Sequence, residues 1–234
     1  MEAIILAGGL GSRLKKQVSE VPKPLAKVDG EPFLNYIFKY LKAYGCKKVI
    51  LSVCHMHELI QKHYGNEFLG IEIDYAIEKE ALGTGGAIKF SLEKAKSKNV
   101  FVLNGDSFFD LNLNEFLELH SEKNSSFSLA LRKKHKIERF GAVKINAENR
   151  ITEFAEKGKY QGSGLINGGV YLINRDKFLK LKFPKKFSLE YDFLQTHVKK
   201  ENIYGFRFDG YFIDIGIPFS YYLAQNEFRN FKYK

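Results

Sequence analysis

Two stretches of this chain combine residue types and spacings suited to phosphate chemistry. The first is Leu6-Ala7-Gly8-Gly9-Leu10-Gly11-Ser12-Arg13-Leu14, followed by Pro22-Lys23-Pro24. Glycines without a Cβ let backbone N–H groups approach an anion and form a concave nest for phosphate oxygens. Arg13 adds a planar fork of donors, and Lys23, stiffened by its flanking prolines, adds a point charge. That is triphosphate-binding chemistry. A P-loop is excluded because no Gly-Lys-Ser/Thr closes the loop, and a dinucleotide fingerprint fails because Leu14 stands where its third glycine belongs. The second stretch type is a carboxylate beside an apolar strand. Asp106 follows Val100-Phe101-Val102-Leu103 through Asn104-Gly105, and Asp214 lies in Phe212-Ile213-Asp214-Ile215-Gly216-Ile217-Pro218. A carboxylate at such a strand end suits a hard, oxygen-seeking ion such as Mg²⁺. An acid buried in an apolar strand needs a cation or strong donors nearby. Cys54-His55-Met56-His57 lacks a second pair at zinc spacing and reads as a strand end and loop.

These residues need a scaffold that turns strand ends toward one place. The pattern alternates: strand Glu2–Leu6, helix Phe33–Tyr44 with Gly45 as its stop, strand Lys48–Val53, helix Glu58–Tyr64, strand Glu72–Ile77, helix Gly86–Lys94 and strand Val100–Leu103. Such alternation predicts an α/β fold, with a mostly parallel central sheet and helices on both faces. Ligands of such sheets bind beyond the carboxyl ends of the strands, where the glycine loop and Asp106 both fall. The later sequence is richer in strands: Ser126–Arg132, Ala142–Ile145, Ile151–Glu156, Gly169–Ile173 and Ile203–Phe208, with one helix near Leu189–Lys199 and a last one from Pro218 to about Arg229. A single domain spanning 1–234 is expected, with a nucleotide-binding half of about 1–125 and a smaller strand-rich half of about 126–234.

The glycine loop with Pro22-Lys23-Pro24-Leu25 resembles the signature of the sugar-phosphate nucleotidyltransferases, although the spacer is basic (Lys15, Lys16) and lacks the proline often found there. The resemblance implies a Rossmann-like nucleotidyltransferase fold. It also implies that Leu6, Ala7, Gly8, Gly9, Gly11, Ser12, Arg13 and Lys23 serve the nucleotide, Arg13 and Lys23 catalytically, and that Asp106 and Asp214 hold Mg²⁺. Glu78-Lys79-Glu80-Ala81-Leu82-Gly83-Thr84-Gly85-Gly86 resembles the family segment that cradles base and ribose, where Glu78, the Gly83 main chain and the Thr84 hydroxyl are expected at the nucleotide. Glu156-Lys157 resembles the element whose lysine contacts the sugar phosphate, with Gly158 where proline is common. Asn167-Gly168-Gly169-Val170-Tyr171 resembles a sugar-binding element, and Ser188-Leu189-Glu190 one whose acid takes a hydroxyl pair. Gly105 joins Glu156, Lys157, Asn167, Gly168 and Glu190 in the expected sugar-phosphate set.

The implied reaction joins a nucleoside triphosphate, expected to be GTP, to a sugar 1-phosphate with release of pyrophosphate. Within the family the short form is most similar to the D-glycero-D-manno-heptose 1-phosphate guanylyltransferases, which supply GDP-heptose for surface polysaccharides such as capsule or lipopolysaccharide. Mannose 1-phosphate guanylyltransferases and N-acetylmuramate or hexose 1-phosphate uridylyltransferases are close rivals. From another class, a non-catalytic nucleotide sensor on the same fold would lack a metal carboxylate or the loop arginine, and this chain keeps them. Many relatives carry an added left-handed β-helix domain, for which no room is expected here.

Composition sets outer limits. With 234 residues, 44% hydrophobic content and 21 phenylalanines the chain can bury a substantial core. No run approaches the ~18 apolar residues of a membrane span, and no basic n-region opens the chain, so a soluble cytoplasmic protein is expected. The net charge of +10 comes from dispersed lysines without a helix-turn-helix, zinc-finger or RNP-like pattern. Anionic substrates, rather than nucleic acid or membrane, are the expected partners, with the chain a monomer or homodimer. Cys46 and Cys54 are expected to be buried free thiols.

Overall fold

The computed structural model describes residues 1–9, 21–155 and 157–233. The chain opens in β1 (Glu2–Leu6), and after the glycine loop a hairpin of β2 (Lys27–Val28) and β3 (Glu31–Pro32) leads into α1 (Phe33–Ala43). This helix buries Phe33, Leu34, Ile37, Phe38 and Leu41, spaced to line one face. It stops where Gly45 takes φ +72° and the Cys46 N–H turns back to the Leu41 carbonyl at 3.0 Å. There follow β4 (Lys48–Val53), α2 (His57–Tyr64), β5 (Glu67–Phe68), β6 (Ile71–Ile77), α3 (Gly83–Leu92) and β7 (Asn99–Asn104). Next come β8 (Ser107–Phe109), α4 (Leu113–Glu122), β9 (Phe127–Lys134), β10 (Ala142–Ile145), β11 (Ile151–Ala155), β12 (Gly164–Asn174) and α5 (Arg175–Leu179). A π-helical turn (Leu189–Leu194) runs into α6 (Gln195–His197), and β13 (Ile203–Arg207), β14 (Phe212–Asp214) and α7 (Pro218–Glu227) complete the order.

The strands β7, β1, β4 and β6 run parallel, with Ile5 opposite both Leu103 and Leu51. Alternate side chains of a strand face opposite sides, so both sides of these strands must be covered. Ile5, Val49, Leu51 and Leu103 join one apolar cluster with α1, while Ile4, Ile50 and Val102 join another with α3. Burying each such side chain stabilises the fold by about 1.5–3 kcal/mol.

The strand-rich half continues this same sheet. β12 pairs antiparallel with β7, Val170 opposite Leu103, and also with β9 and β10; β13 then adds parallel to β9. β12 is longer than the Gly169–Ile173 strand expected from sequence, because a register irregularity between Asn167 and Tyr171 lets it pass the glycine pair without ending. Two helices fall outside the sequence pattern, α4 and α5. Each starts on an asparagine whose side chain accepts backbone N–H bonds, Asn112 from Asn114 and Glu115, and Asn174 from Lys177. Cys46 and Cys54 are free thiols, but Cys54 is only half-buried, since it lies at the open carboxyl end of β4. Among the described residues no helix is long and apolar enough to cross a membrane.

His120, the polar residue on the buried face of α4, is 1% exposed. Its Nδ1 pairs with Ser128 Oγ at 2.8 Å, while Nε2 has no partner among the described residues. Burial, helped by the Lys177 charge, pulls its pKa from 6.5 down to about 4. Below pH 6.5 the unfolded chain therefore binds a proton that the folded protein refuses, and stability falls as pH drops toward about 4. His120→Leu is expected to flatten unfolding free energy against pH over this window by up to about 1.4 kcal/mol per pH unit. Parallel curves for the two proteins in denaturant titrations would disprove the assignment.

Candidate active site

The parallel strand ends open onto two adjoining clefts. The first, about 320 Å³, is lined by Leu6, Ala7, Gly8 and Gly9 after β1, by Lys23 and Pro24, and by Glu78, Gly83 and Thr84 between β6 and α3. The Ala7 N–H donates to the Ser52 carbonyl at 2.8 Å, which extends the β1–β4 pairing up to the glycines. A Cβ on Gly8 would come within 3.2 Å of the Cys54 nitrogen and 3.3 Å of Glu78 Oε1. Glu78 is nearly buried at 8% exposure, yet its carboxylate is satisfied: Oε1 accepts from the Ser52 hydroxyl at 3.1 Å and Oε2 from the Leu82 N–H at 2.9 Å. Ser52 has no place in the motifs read from sequence. Its signal is a lone hydroxyl near the carboxyl end of the apolar strand Lys48–Val53.

The second cleft, about 400 Å³, is built by the later strands. Ser107, Lys157, Asn167, Gly168, Phe212 and Asp214 line it. Lys157 follows β11 and is exposed, reaching the cleft from the strand-rich half. Asn167 donates from Nδ2 to the Tyr171 hydroxyl at 2.7 Å and accepts the Gly169 N–H at 3.0 Å, so the β12 irregularity holds its amide fast. Burial pushes the pKa of the Tyr171 phenol far up, which keeps it protonated beneath the cleft. Asn104, Asp106 and Glu190 line both clefts. Gly105, expected among the sugar-phosphate residues, lines the first cleft instead, because its N–H bonds to the Leu6 carbonyl at 2.9 Å and draws it toward the β1 end. Gly11, Ser12, Arg13 and Glu156 lie outside the described residues.

Asp106 and Asp214, far apart in sequence, meet on one ribbon. β14 pairs antiparallel with β8, placing Asp214 opposite Ser107, and the Ile215 N–H donates to the Asp106 carbonyl at 3.0 Å. The Lys23 ammonium forms an ion pair with the Asp106 carboxylate. Asp214 is half-buried rather than sealed in its strand, and its Oδ1 takes the Gly216 N–H at 2.6 Å. A Cβ on Gly216 would lie 2.6 Å from Asp214 Oδ1 and 3.1 Å from Lys23 Nζ, so lysine and both acids crowd one wall. Two partly exposed carboxylates with hard oxygens fit an ion that takes one or two protein ligands and fills its shell with water and phosphate. Among the described residues there is no cluster of three or more metal-ligating side chains.

The segment after Glu78 departs from expectation in detail. Gly83 (φ +72°) opens α3, and the first helix donors are already taken: the Phe187 carbonyl accepts from the Gly85 and Gly86 N–H groups at 3.1 and 3.2 Å. The Phe187 N–H returns to the Leu82 carbonyl at 3.0 Å. The Thr84 hydroxyl, expected at a base edge, is turned to Glu190 Oε2 at 2.9 Å and accepts the Leu189 N–H at 3.0 Å. Glycine at 83, 85 and 86 thus makes room for Phe187 and Lys185 of the other half.

Two clefts that share a wall of carboxylates and lysine can hold two anionic substrates end to end, the arrangement of an enzyme that transfers a phosphate-linked group between them. The chain belongs to the nucleotidyl transferase family, which it matches over residues 2–230. It is 47% identical over 231 residues to the D-glycero-alpha-D-manno-heptose 1-phosphate guanylyltransferase of Aneurinibacillus thermoaerophilus, covering 99% of this chain and 100% of that protein. It is also 47% identical over 222 residues to the protein of the same description from Campylobacter jejuni subsp. jejuni serotype O:2, covering 95% of this chain and 97% of the other. The crystal structure of HddC from Yersinia pseudotuberculosis complexed with GMP-PN is 34% identical with a TM-score of 0.84, covering 97% of this chain and 99% of that one.

The crowded wall yields a steric prediction. In Gly216→Ala the nearest described atoms to the new methyl are side-chain ends, Asp214 Oδ1 and Lys23 Nζ, which can move aside without unfolding the protein. Circular dichroism and melting temperature are expected to stay close to the parent. Turnover should fall on the order of 100-fold, the scale of a misplacement of about 1 Å in reacting groups. A variant with full turnover would show that this wall is not where the chemistry occurs.

Proposed function

We propose that this enzyme transfers a guanylyl group from GTP to D-glycero-alpha-D-manno-heptose 1-phosphate, forming GDP-heptose and pyrophosphate. The observation that carries the reading is 47% identity, over nearly the whole of both chains, to a guanylyltransferase for that sugar phosphate. The first cleft takes GTP. Leu6, Ala7, Gly8 and Gly9 line it, the glycine loop with Gly11 and Ser12 serves the triphosphate, and Arg13 and Lys23 are its counter-charges. Guanine presents adjacent N1–H and N2–H donors on one edge, and the two acceptor oxygens of Glu78 match them while retaining their bonds to Ser52 and Leu82. The second cleft takes the sugar 1-phosphate, its phosphate at Lys157 and its hydroxyls at Asn167, Gly168 and Glu190, with Glu156 a further member of the sugar-phosphate set.

In the reaction an oxygen of the sugar 1-phosphate attacks the α-phosphorus of GTP. The bond from that phosphorus to the bridging oxygen breaks, and pyrophosphate leaves with the electron pair. The attacking phosphate is already anionic, so no side chain has to accept a proton. What the protein supplies is alignment and neutralisation of charge. Lys157 brings the nucleophile in from the strand-rich half, while Lys23 and Arg13 balance the charge that grows on the departing pyrophosphate. Mg²⁺ would be held by Asp106 and Asp214 and would add Lewis-acid neutralisation of phosphate oxygens. Free Cys46 and Cys54 suit a reducing cytoplasm as the compartment.

Pyrophosphate release across GTP, UTP, CTP and ATP, each with heptose, mannose and N-acetylglucosamine 1-phosphates, tests the proposal. GTP with the heptose 1-phosphate should give the highest kcat/KM; a preference for UTP or CTP would overturn the base assignment. Lys23→Ala and Arg13→Ala should each lower kcat about 100- to 1,000-fold with native circular dichroism. Asp106→Asn and Asp214→Asn should each abolish Mg²⁺-dependent turnover, and the double variant should be little worse than either single one, because the pair acts as a unit. Additive losses would separate the two carboxylates.

A further inference from the structure

We propose that Thr84 is a positioning residue for sugar recognition: though part of the nucleotide cleft, it sets the direction of the Glu190 carboxylate and so couples the two subsites. The inference rests on the assignment of Glu190 to the sugar subsite. Thr84 stands in the first turn of α3 and Glu190 in the π-helical turn, and their side chains meet across the junction of the clefts. The Thr84 hydroxyl donates to Glu190 Oε2 at 2.9 Å while accepting the Leu189 N–H at 3.0 Å, so both its position and its proton are committed. Ser188 Oγ donates to the same oxygen at 3.3 Å and itself accepts the Tyr191 N–H at 3.2 Å. Two hydroxyls therefore converge on Oε2, and Oε1 takes no hydrogen bond from the described residues. Glu190 lines both clefts, so the oxygen left over is the one available to a sugar hydroxyl.

The clasp between the two segments does not depend on this hydroxyl alone. Backbone bonds from Gly85 and Gly86 to the Phe187 carbonyl, and from the Phe187 N–H to Leu82, hold α3 against the 185–190 segment. Removing the Thr84 hydroxyl costs the Leu189 N–H its acceptor but leaves these three backbone bonds in place, and it frees the carboxylate to turn. Reading of the sugar is tied in this way to the segment that carries Glu78 and Gly83, which line the first cleft.

Steady-state kinetics with GTP and the heptose 1-phosphate decide the matter. Thr84→Val keeps the shape but loses the hydroxyl. It is expected to raise KM for the sugar 1-phosphate about tenfold, the scale of a hydrogen bond to a charged group, with kcat and the KM for GTP within about twofold of the parent. Thr84→Ser should restore the parental value, and Ser188→Ala should move KM the same way by less. Glu190→Gln should raise the same KM, and adding Thr84→Val to it should change little further. Melting curves accompany each variant, and Thr84→Ala carries the same expectation should the valine variant not fold. If Glu190→Gln raises KM for the sugar but the Thr84 variants do not, or if they raise KM for GTP equally, the positioning role is overturned and the sugar subsite stands. If Glu190→Gln leaves KM for the sugar unchanged, the subsite assignment fails and the inference falls with it.

Discussion

Two carboxylates on one short ribbon repel each other and any phosphate brought near them, so the site works only with positive charge at that wall. Lys23 supplies it in the structure, paired with Asp106 and close to the Gly216 turn that carries Asp214. The ribbon itself has few hydrogen bonds and draws its position from what lies behind it. Phe108, 3% exposed, packs its ring against Tyr40 at 5.3 Å, Phe228 at 5.8 Å and Phe231 at 5.2 Å. Such ring pairs add about 0.5–1.5 kcal/mol each beyond the area they bury. The Tyr40 hydroxyl also donates to the Leu111 carbonyl at 2.7 Å, tying α1 to the chain just after β8. Placement of the acids is thus a property of the aromatic core and of residues far along the chain.

Much of the scaffold was legible because its signals are local. β1 and β4 follow from runs of branched apolar residues, and the end of α1 follows from Gly45. The helix α4 was harder to see, since buried His120 interrupts its apolar face, although Asn112 with Glu115 three residues later is an ordinary start signal. The β8–β14 pairing was not legible as a pairing: each strand is three residues long, and what joins them is tertiary. Of the motif residues, Lys23 lines the first cleft, Asp214, Lys157 and Asn167 line the second, and Asp106 lines both. What a motif cannot say is which way a side chain turns. Thr84 sits where its motif places it, but its hydroxyl faces Glu190, a partner that only the folded chain brings within reach.

The floor of the second cleft shows how one strand can both continue a sheet and line a pocket. β12 pairs with β9 along one edge and, along the other, with β10 near its start and β7 near its end, so it belongs to both halves. Asn167, the last residue paired with β9 before the register irregularity, donates to the buried Tyr171 hydroxyl, and a Cβ on Gly169 would press on the Asn104 amide at 2.7 Å. Polar groups in so dry a place are costly unless satisfied, and satisfied ones are rigid. The cleft therefore has a fixed floor and takes its variable contacts from the exposed Lys157 and the half-buried Glu190.

The clasp between α3 and the 185–190 segment has a consequence for how such enzymes can be recombined. A chimera that grafts the strand-rich half of a relative onto the first half of this chain would part Gly83, Gly85 and Gly86 from the Phe187 and Lys185 they were shaped to receive. Any bulkier residue on either side would wedge the junction open. The natural unit of exchange is therefore not a contiguous half of the chain but two short segments carried over together, 82–86 with 185–190, and sequence drift in one is constrained by the other.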